Sequence, residues 1–235
     1  MLLAMSRRFE ELDFQDTPIG EISLRRRLDP MLKVDVYEVK LGEEFLMSSL
    51  FTVAEEALAT LGLAQVDGTD LDVVVGGLGL AYTAGAALAD PRVRSVHVVE
   101  YLAPVIDWHQ RHLLPLSPQI ADDPRCHFVH GDFFALTADA GYGTGPVHAV
   151  LLDIDHTPDH LLHASHGGFY STSGLQRLKD LLHPGGVFAL WSDDPPAEDF
   201  LAVLRTVFAE VTGHLVPFAN PLTGGTSTNG VYVAR

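Results

Sequence analysis

Three lysines, one cysteine and two tryptophans occur in 235 residues. The lone Cys126 excludes an internal disulfide and any cysteine-cluster metal site. Basic side chains number 15 against 31 acidic ones, for a formal net charge of −16. A chain so short of positive charge offers no basic face to a phosphate backbone, which argues against nucleic-acid partners. No window approaches the roughly 18 uninterrupted apolar residues of a membrane-spanning helix. The apolar start, Met1 to Met5, is too short for a signal-peptide core, and Arg7 and Arg8 follow it rather than precede it. The expectation is a soluble, cytoplasmic protein without a membrane partner.

Apolar residues make up 47% of the chain and charged ones 20%, a balance that folds rather than solvates. The length fits one domain, or one domain with a small appendage. Charge is unevenly placed: residues 1–50 hold seven of the fifteen basic side chains, including Arg25, Arg26 and Arg27. This shift suggests a small N-terminal β appendage over 1–50 and a main domain over 51–235. In the appendage, Ile19, Ile22 and Leu24, then Val34, Val36 and Val39, predict two or three short strands.

From Leu71 onward the chain alternates strand, turn and helix. Strands are predicted at Leu71–Val75, Val96–Glu100, Cys126–Val129, Val147–Leu152 and Gly186–Trp191, with helices near 52–62, 102–113, 171–182 and 196–209. Two last strands, near 210–217 and 227–234, are joined by a turn region around Asn220-Pro221 and Gly224-Gly225. The pattern is α/β: a parallel sheet covered on both faces, ending in an antiparallel hairpin. The fold expected is a seven-stranded methyltransferase-type Rossmann sheet with a small N-terminal β-hairpin appendage.

Ligands of open α/β sheets bind beyond the carboxyl ends of the strands. The first such loop is Gly76-Gly77-Leu78-Gly79, where glycines let a ligand approach the backbone beside a helix N-terminus. A dinucleotide fingerprint needs a further glycine where Tyr82 stands. Glu100, at the tip of the second strand, can accept from ribose hydroxyls. Asp132 can accept from an adenine amino group, with Phe133 packing nearby, or can cap a short helix. Asp153, at the tip of the fourth strand, can bind an amine and accept its proton, or serve as a structural acceptor.

In order, Gly76-Gly77-Leu78-Gly79, Val98-Val99-Glu100, Asp123-Pro124-Arg125, His130-Gly131-Asp132, Leu151-Leu152-Asp153, Phe169-Tyr170 and Leu182-His183-Pro184-Gly185-Gly186 resemble the spermidine synthase (polyamine aminopropyltransferase) family. The resemblance covers about residues 70 to 192. It implies decarboxylated S-adenosylmethionine as co-substrate, a small cationic amine as acceptor, no metal, and a homo-oligomer, commonly a dimer. By resemblance Glu100 holds the ribose, Asp132 the adenine and Asp153 the attacking amine. Three positions depart from the family. Leu78 replaces an aspartate that binds the aminopropyl amine. His156 replaces the second aspartate of the catalytic loop, unless Asp155 stands in for it. Ala54-Glu55-Glu56 lacks the family's tyrosine. The candidate catalytic residues are therefore Asp153, Asp155 and His156; the candidate nucleotide-binding residues are Gly76, Gly77, Leu78, Gly79, Glu100, Asp132 and Phe133.

Other features are read as follows. His156, His160, His163 and His166 lack a defined metal-ligand signature and predict a loop with a short helix, suited to a lid. His97, His127 and His148 read as structural residues, and Trp108 and Trp191 as packing. Asp193-Asp194 reads first as a helix cap and second as a negative wall of the pocket. Methyl transfer from S-adenosylmethionine and a non-catalytic nucleotide-binding relative are the alternative functions.

Overall fold

In this computed structural model the described residues are 9–139, 141–220 and 222–235. The apolar start with Arg7 and Arg8, Ala140 of the loop at 139–145 and Pro221 of the last turn region lie outside them.

Eleven strands among the described residues form two sheets. The first is an antiparallel meander of β1 (Phe9–Thr17), β2 (Gly20–Leu28), β3 (Asp35–Leu41) and β4 (Glu44–Ser48). Pairing of Leu24 with Val39 and of Ile22 with Leu41 puts the apolar positions on one face. The same pairing explains the arginine triplet, of which Arg25 and Arg27 lie on the opposite face and Arg26 on the face of Leu24. Arg25 and Arg27 both reach Glu38, at 2.9 and 2.7 Å, and Arg26 reaches Glu10 at 2.7 Å. The local basic excess is thus cancelled by acids brought across the strands. The meander has one strand more than expected. β1 was hidden because Glu10, Glu11, Asp13 and Asp16 give it a polar pattern that makes sense only opposite β2.

The second sheet has the order β10-β11-β9-β8-β5-β6-β7. Its strands are β5 (Leu71–Gly76), β6 (Val93–Glu100), β7 (Cys126–His130), β8 (Val147–Leu152), β9 (Leu182–Ser192), β10 (Val211–Asn220) and β11 (Gly225–Ala234). β5 to β9 are parallel, and β11 runs antiparallel to β9 and β10. The fold is the methyltransferase-type α/β sheet with an N-terminal antiparallel sheet attached.

Both faces of this sheet are buried, so its inner strands read as continuous apolar runs. On one face Val73, Val75, Leu151 and Ala189 pack with α1 (Val53–Leu63) and α2 (Tyr82–Ala89). Ile22, Leu24 and Val39 of the first sheet join the same core. On the other face Val74, Val150, Leu152 and Phe188 pack with α6 (Thr172–Asp180) and α7 (Glu198–Arg205). Each fully buried Val or Leu contributes about 1.5–3 kcal/mol of transfer free energy. α3 (Ala103–Gln110), α4 (Ser117–Ala121) and α5 (Phe133–Asp139) complete the layers.

Two Asp-Pro-Arg runs brace the strand entrances. Arg92 binds Asp90 at 2.7 Å and the carbonyls of Leu63 and Val66 at the end of α1. Arg125 binds Asp123 at 2.8 Å and the carbonyls of Leu88 in α2 and Val93 in β6. Each guanidinium thereby satisfies carbonyls that a helix end leaves without partners. α6 ends at Asp180, just ahead of His183-Pro184-Gly185-Gly186, and that run already belongs to β9, which begins earlier than the expected Gly186 and has an irregular register against β8.

Candidate active site

The carboxyl ends of the parallel strands and the edge of the first sheet enclose a cleft of about 310 Å³. Its walls come from β4 and the residue run to Phe51, the first turn of α1, the glycine loop after β5, the segment 153–162 after β8, and Trp191 and Asp193.

The glycine loop forms the first side. Gly77 has φ +92°, and a Cβ there would lie 2.1 Å from the Asp153 carbonyl oxygen, so only glycine fits. That closeness is built by the sheet, because the Asp153 amide donates to the Gly76 carbonyl at 2.8 Å. At Gly79 the neighbour is the Met47 sulfur of β4, 3.1 Å from where a Cβ would stand. Glu100 lies below the loop, buried, with one oxygen accepting from the Leu78 amide at 3.0 Å and the other from the Leu102 amide at 2.8 Å. Burial pushes its carboxyl above the ordinary range, and these amides pull the other way. The buried His109 supports the loop from behind. Its Nε2–H donates to the Gly79 carbonyl at 2.9 Å, which leaves Nδ1 to accept from the Ser117 hydroxyl at 3.2 Å.

The opposite side is acidic and sparsely bonded. Asp153 Oδ2 accepts from the Thr83 hydroxyl at 2.8 Å, and that hydroxyl also lies 3.2 Å from the Glu55 carbonyl. Glu55 lines the cleft from the first turn of α1, and Asp193 lines it from beyond β9. Burial first, then the Asp153 charge, pushes Glu55 up to about 8. Burial pushes Asp153 up to about 6 against the pull of Thr83. Asp193 is held by Asn229 of β11, whose amide donates to its Oδ1 at 2.9 Å. Tyr82 and Trp191 complete this end, and Trp191 Nε1 is buried without an acceptor among the described residues. No lysine or arginine of the described residues lines the cleft.

Of the residues singled out in the sequence, Gly77, Leu78, Gly79, Asp153 and His156 meet in this cleft. Glu100 and Gly76 lie behind its loop, where Gly76 rests on the Phe133 ring. Phe133 is a core residue stacked on Tyr142, with ring centres 5.4 Å apart. Asp132 accepts from the Phe134 and Ala135 amides at 2.8 and 3.2 Å, capping α5, and faces a separate hollow of about 230 Å³ that includes Arg177. Asp155 is 1% exposed and points away from the cleft. It accepts from the Leu162 amide, from His166 and from the Tyr170 hydroxyl, each at 2.8 Å, and so pins the segment 155–170.

The four clustered histidines form two ring pairs, His156 with His160 at 4.9 Å and His163 with His166 at 5.9 Å between centres. His156 faces the cleft 3.5 Å from Glu44, His163 Nδ1 lies 2.7 Å from Ser165, and His166 turns to Asp155. A short 3-10 helix spans Ala164–Gly168. Among the described residues no group of three or more His, Cys, Asp or Glu is arranged to hold a metal ion. Among them, too, no helix is long and apolar enough to cross a membrane. Neither Asp193 nor Asp194 caps α7, whose N-cap is Ala197. Trp108 is core, as expected, while Trp191 is a cleft wall. His97 is buried at Nδ1 without a hydrogen-bond partner among the described residues, whereas His148 Nδ1 accepts from the Asp72 amide.

Sequence reasoning overlooked Glu55 and Tyr82 as cleft residues. Glu55 drew notice only for lacking a tyrosine neighbour, and Tyr82 only for spoiling a glycine pattern. The wall supplied by β4, with Phe45 and Met47, carries no signal of its own.

No family model matches the chain. Solved structures share its fold. Spermidine synthase from Thermotoga maritima aligns with a TM-score of 0.72 at 16% identity, over 95% of this chain and 72% of that one. A spermidine synthase in complex with the transition-state analogue AdoDATO also aligns at 0.72, with 18% identity over 95% and 73%. A probable spermidine synthase from Corynebacterium glutamicum ATCC 13032 aligns at 0.63, with 18% identity over 94% and 79%. At such identities the likeness is one of fold.

Proposed function

We propose that the chain transfers an alkyl group, in the first place aminopropyl, from a decarboxylated adenosyl sulfonium to a small cationic amine. One observation carries this reading. Glu55, Asp153 and Asp193 line the cleft beside the glycine loop, and no lysine or arginine among the described residues accompanies them. Such a wall suits ammonium groups and a sulfonium. It suits S-adenosylmethionine less, because nothing cationic meets that molecule's carboxylate. The fold shared with spermidine synthases supports the same reaction class, and one of those structures holds a transition-state analogue.

The chemistry asks mainly for alignment. In this reading the backbone at Gly77 and Gly79 admits the nucleotide, and Glu100, already accepting from the Leu78 and Leu102 amides, holds that loop in place. Asp153 orients the acceptor nitrogen. The amine lone pair forms the new N–C bond, and the C–S electron pair passes to sulfur, which leaves as a neutral thioether. Leu78 makes the loop apolar where the family carries an aspartate, so the positive charge of the ligands falls to the three carboxylates opposite.

Thermal titration separates the alternatives. Decarboxylated S-adenosylmethionine and methylthioadenosine are expected to raise Tm, with turnover on putrescine lost in Asp153→Asn. Stabilisation by S-adenosylmethionine alone would replace this reading with methyl transfer. Stabilisation by the nucleotides with no turnover on any amine would leave a binding protein.

A further inference from the structure

Asp153 is not alone in facing an acceptor. The Glu55 side chain enters the same cleft from α1, one Thr83 hydroxyl away along the backbone, and its carboxylate meets no donor beyond its own backbone amide among the described residues. The charged and titratable groups around it come from every neighbouring element. They are Glu56 from α1, Tyr82 from α2, Asp153 and His156 from the segment after β8, and Asp193 from the end of β9. A carboxylate so placed, without a cation, has an unmet demand for a proton or an ammonium.

We propose that Glu55 takes the proton that the acceptor amine must lose, while Asp153 orients the same nitrogen. The inference rests on the amine-transfer reading above and adds a second catalytic carboxylate to it. Before an amine binds, the Glu55–Asp153 pair holds one proton, as the raised values of both groups support. An arriving ammonium displaces that proton to solvent and sits between two carboxylates. One N–H proton then passes to Glu55, and the freed lone pair attacks the carbon on the sulfonium. The C–S pair goes to sulfur. The pair again holds one proton, and the product leaves as a secondary ammonium. Charge is +1 on either side of the transfer step, counting Glu55, the amine and the sulfur.

The test is calorimetry with putrescine and with n-butylamine at pH 7, in two buffers of different ionisation enthalpy, on the full chain. Wild type is expected to release close to one proton per amine bound, Glu55→Gln almost none, and Glu56→Gln as much as wild type. Where turnover is measured, Glu55→Gln is expected to lower kcat by about a hundredfold with KM changed far less, and to lose the ascending limb of the pH–rate profile. Glu55→Asp is expected to restore part of both. Unchanged proton release with kcat within threefold of wild type in Glu55→Gln would overturn the inference. So would the absence of any binding heat with either amine. Failure of methylthioadenosine to bind while amine binding still releases a proton would sink the nucleotide reading and spare the carboxylate pair.

Discussion

The two sides of the cleft treat buried negative charge in opposite ways. Glu100 spends an oxygen on each of two backbone amides, and those amides belong to the loops it holds in place. The Asp153 carboxylate has one hydroxyl contact, from Thr83, the Glu55 carboxylate has none, and both face open volume. The first arrangement is finished without a ligand; the second is completed only by something that brings a positive charge or a proton. Under the proposed function, the difference separates a carboxylate that builds the site from carboxylates that use it.

Four changes break or sharpen this contrast. The largest effect is expected on the finished side. Gly77→Ala puts a Cβ 2.1 Å from a backbone oxygen at a positive φ, and should cost more than about 4 kcal/mol, read as loss of soluble protein or a collapse of Tm. Gly79→Ala should be milder, since a flexible Met47 can yield there. Next comes Glu100→Ala, which strands two buried amides and should cost about 3 kcal/mol, near 10 °C of Tm. If Glu100→Ala lost nucleotide binding at unchanged Tm, the two sides would be alike and the contrast would fail. The smallest change has the opposite sign. Glu55 is raised to about 8, so the folded chain resists ionising a group that the unfolded chain ionises near 4.5. The stability from keeping it protonated is therefore fully present below that range and lost as pH rises through about 8. Glu55→Gln should remove this slope and gain about 1–3 kcal/mol at pH 8.5, with no gain at pH 4, by thermal melts across pH.

Much of the fold was legible because period and punctuation agree. The runs at Leu71–Val75 and Val147–Leu152 are apolar throughout because each strand is covered on two faces, and they became β5 and β8. β1 was illegible because its acids find partners far along the chain, Glu10 at Arg26 and Asp13 at Trp108 and Arg111. The site was legible down to the strand ends and no further. Asp153 and Asp155 are two apart, yet one faces the cleft and the other is buried under Tyr170, since an irregular segment has no period to assign a face. The Asp-Pro-Arg run at 123–125, a specific part of the resemblance, proves to be a brace for β7, with a twin at 90–92 before β6. A motif can belong to the architecture alone, while the residues on which the proposed chemistry turns, Leu78 and Glu55, sit elsewhere in the cleft.

The bond from Asn229 to Asp193 has a consequence in time. Walls of the cleft begin at Phe45, and the residue that steadies its last carboxylate lies in the final strand. Contacts of such separation close slowly and late. A nascent chain still short of Asn229 holds every carboxylate of the cleft but lacks the strand that places Asp193. Ligand affinity should therefore switch on abruptly once β11 has joined the sheet and Asn229 holds Asp193, rather than grow with the emerging chain.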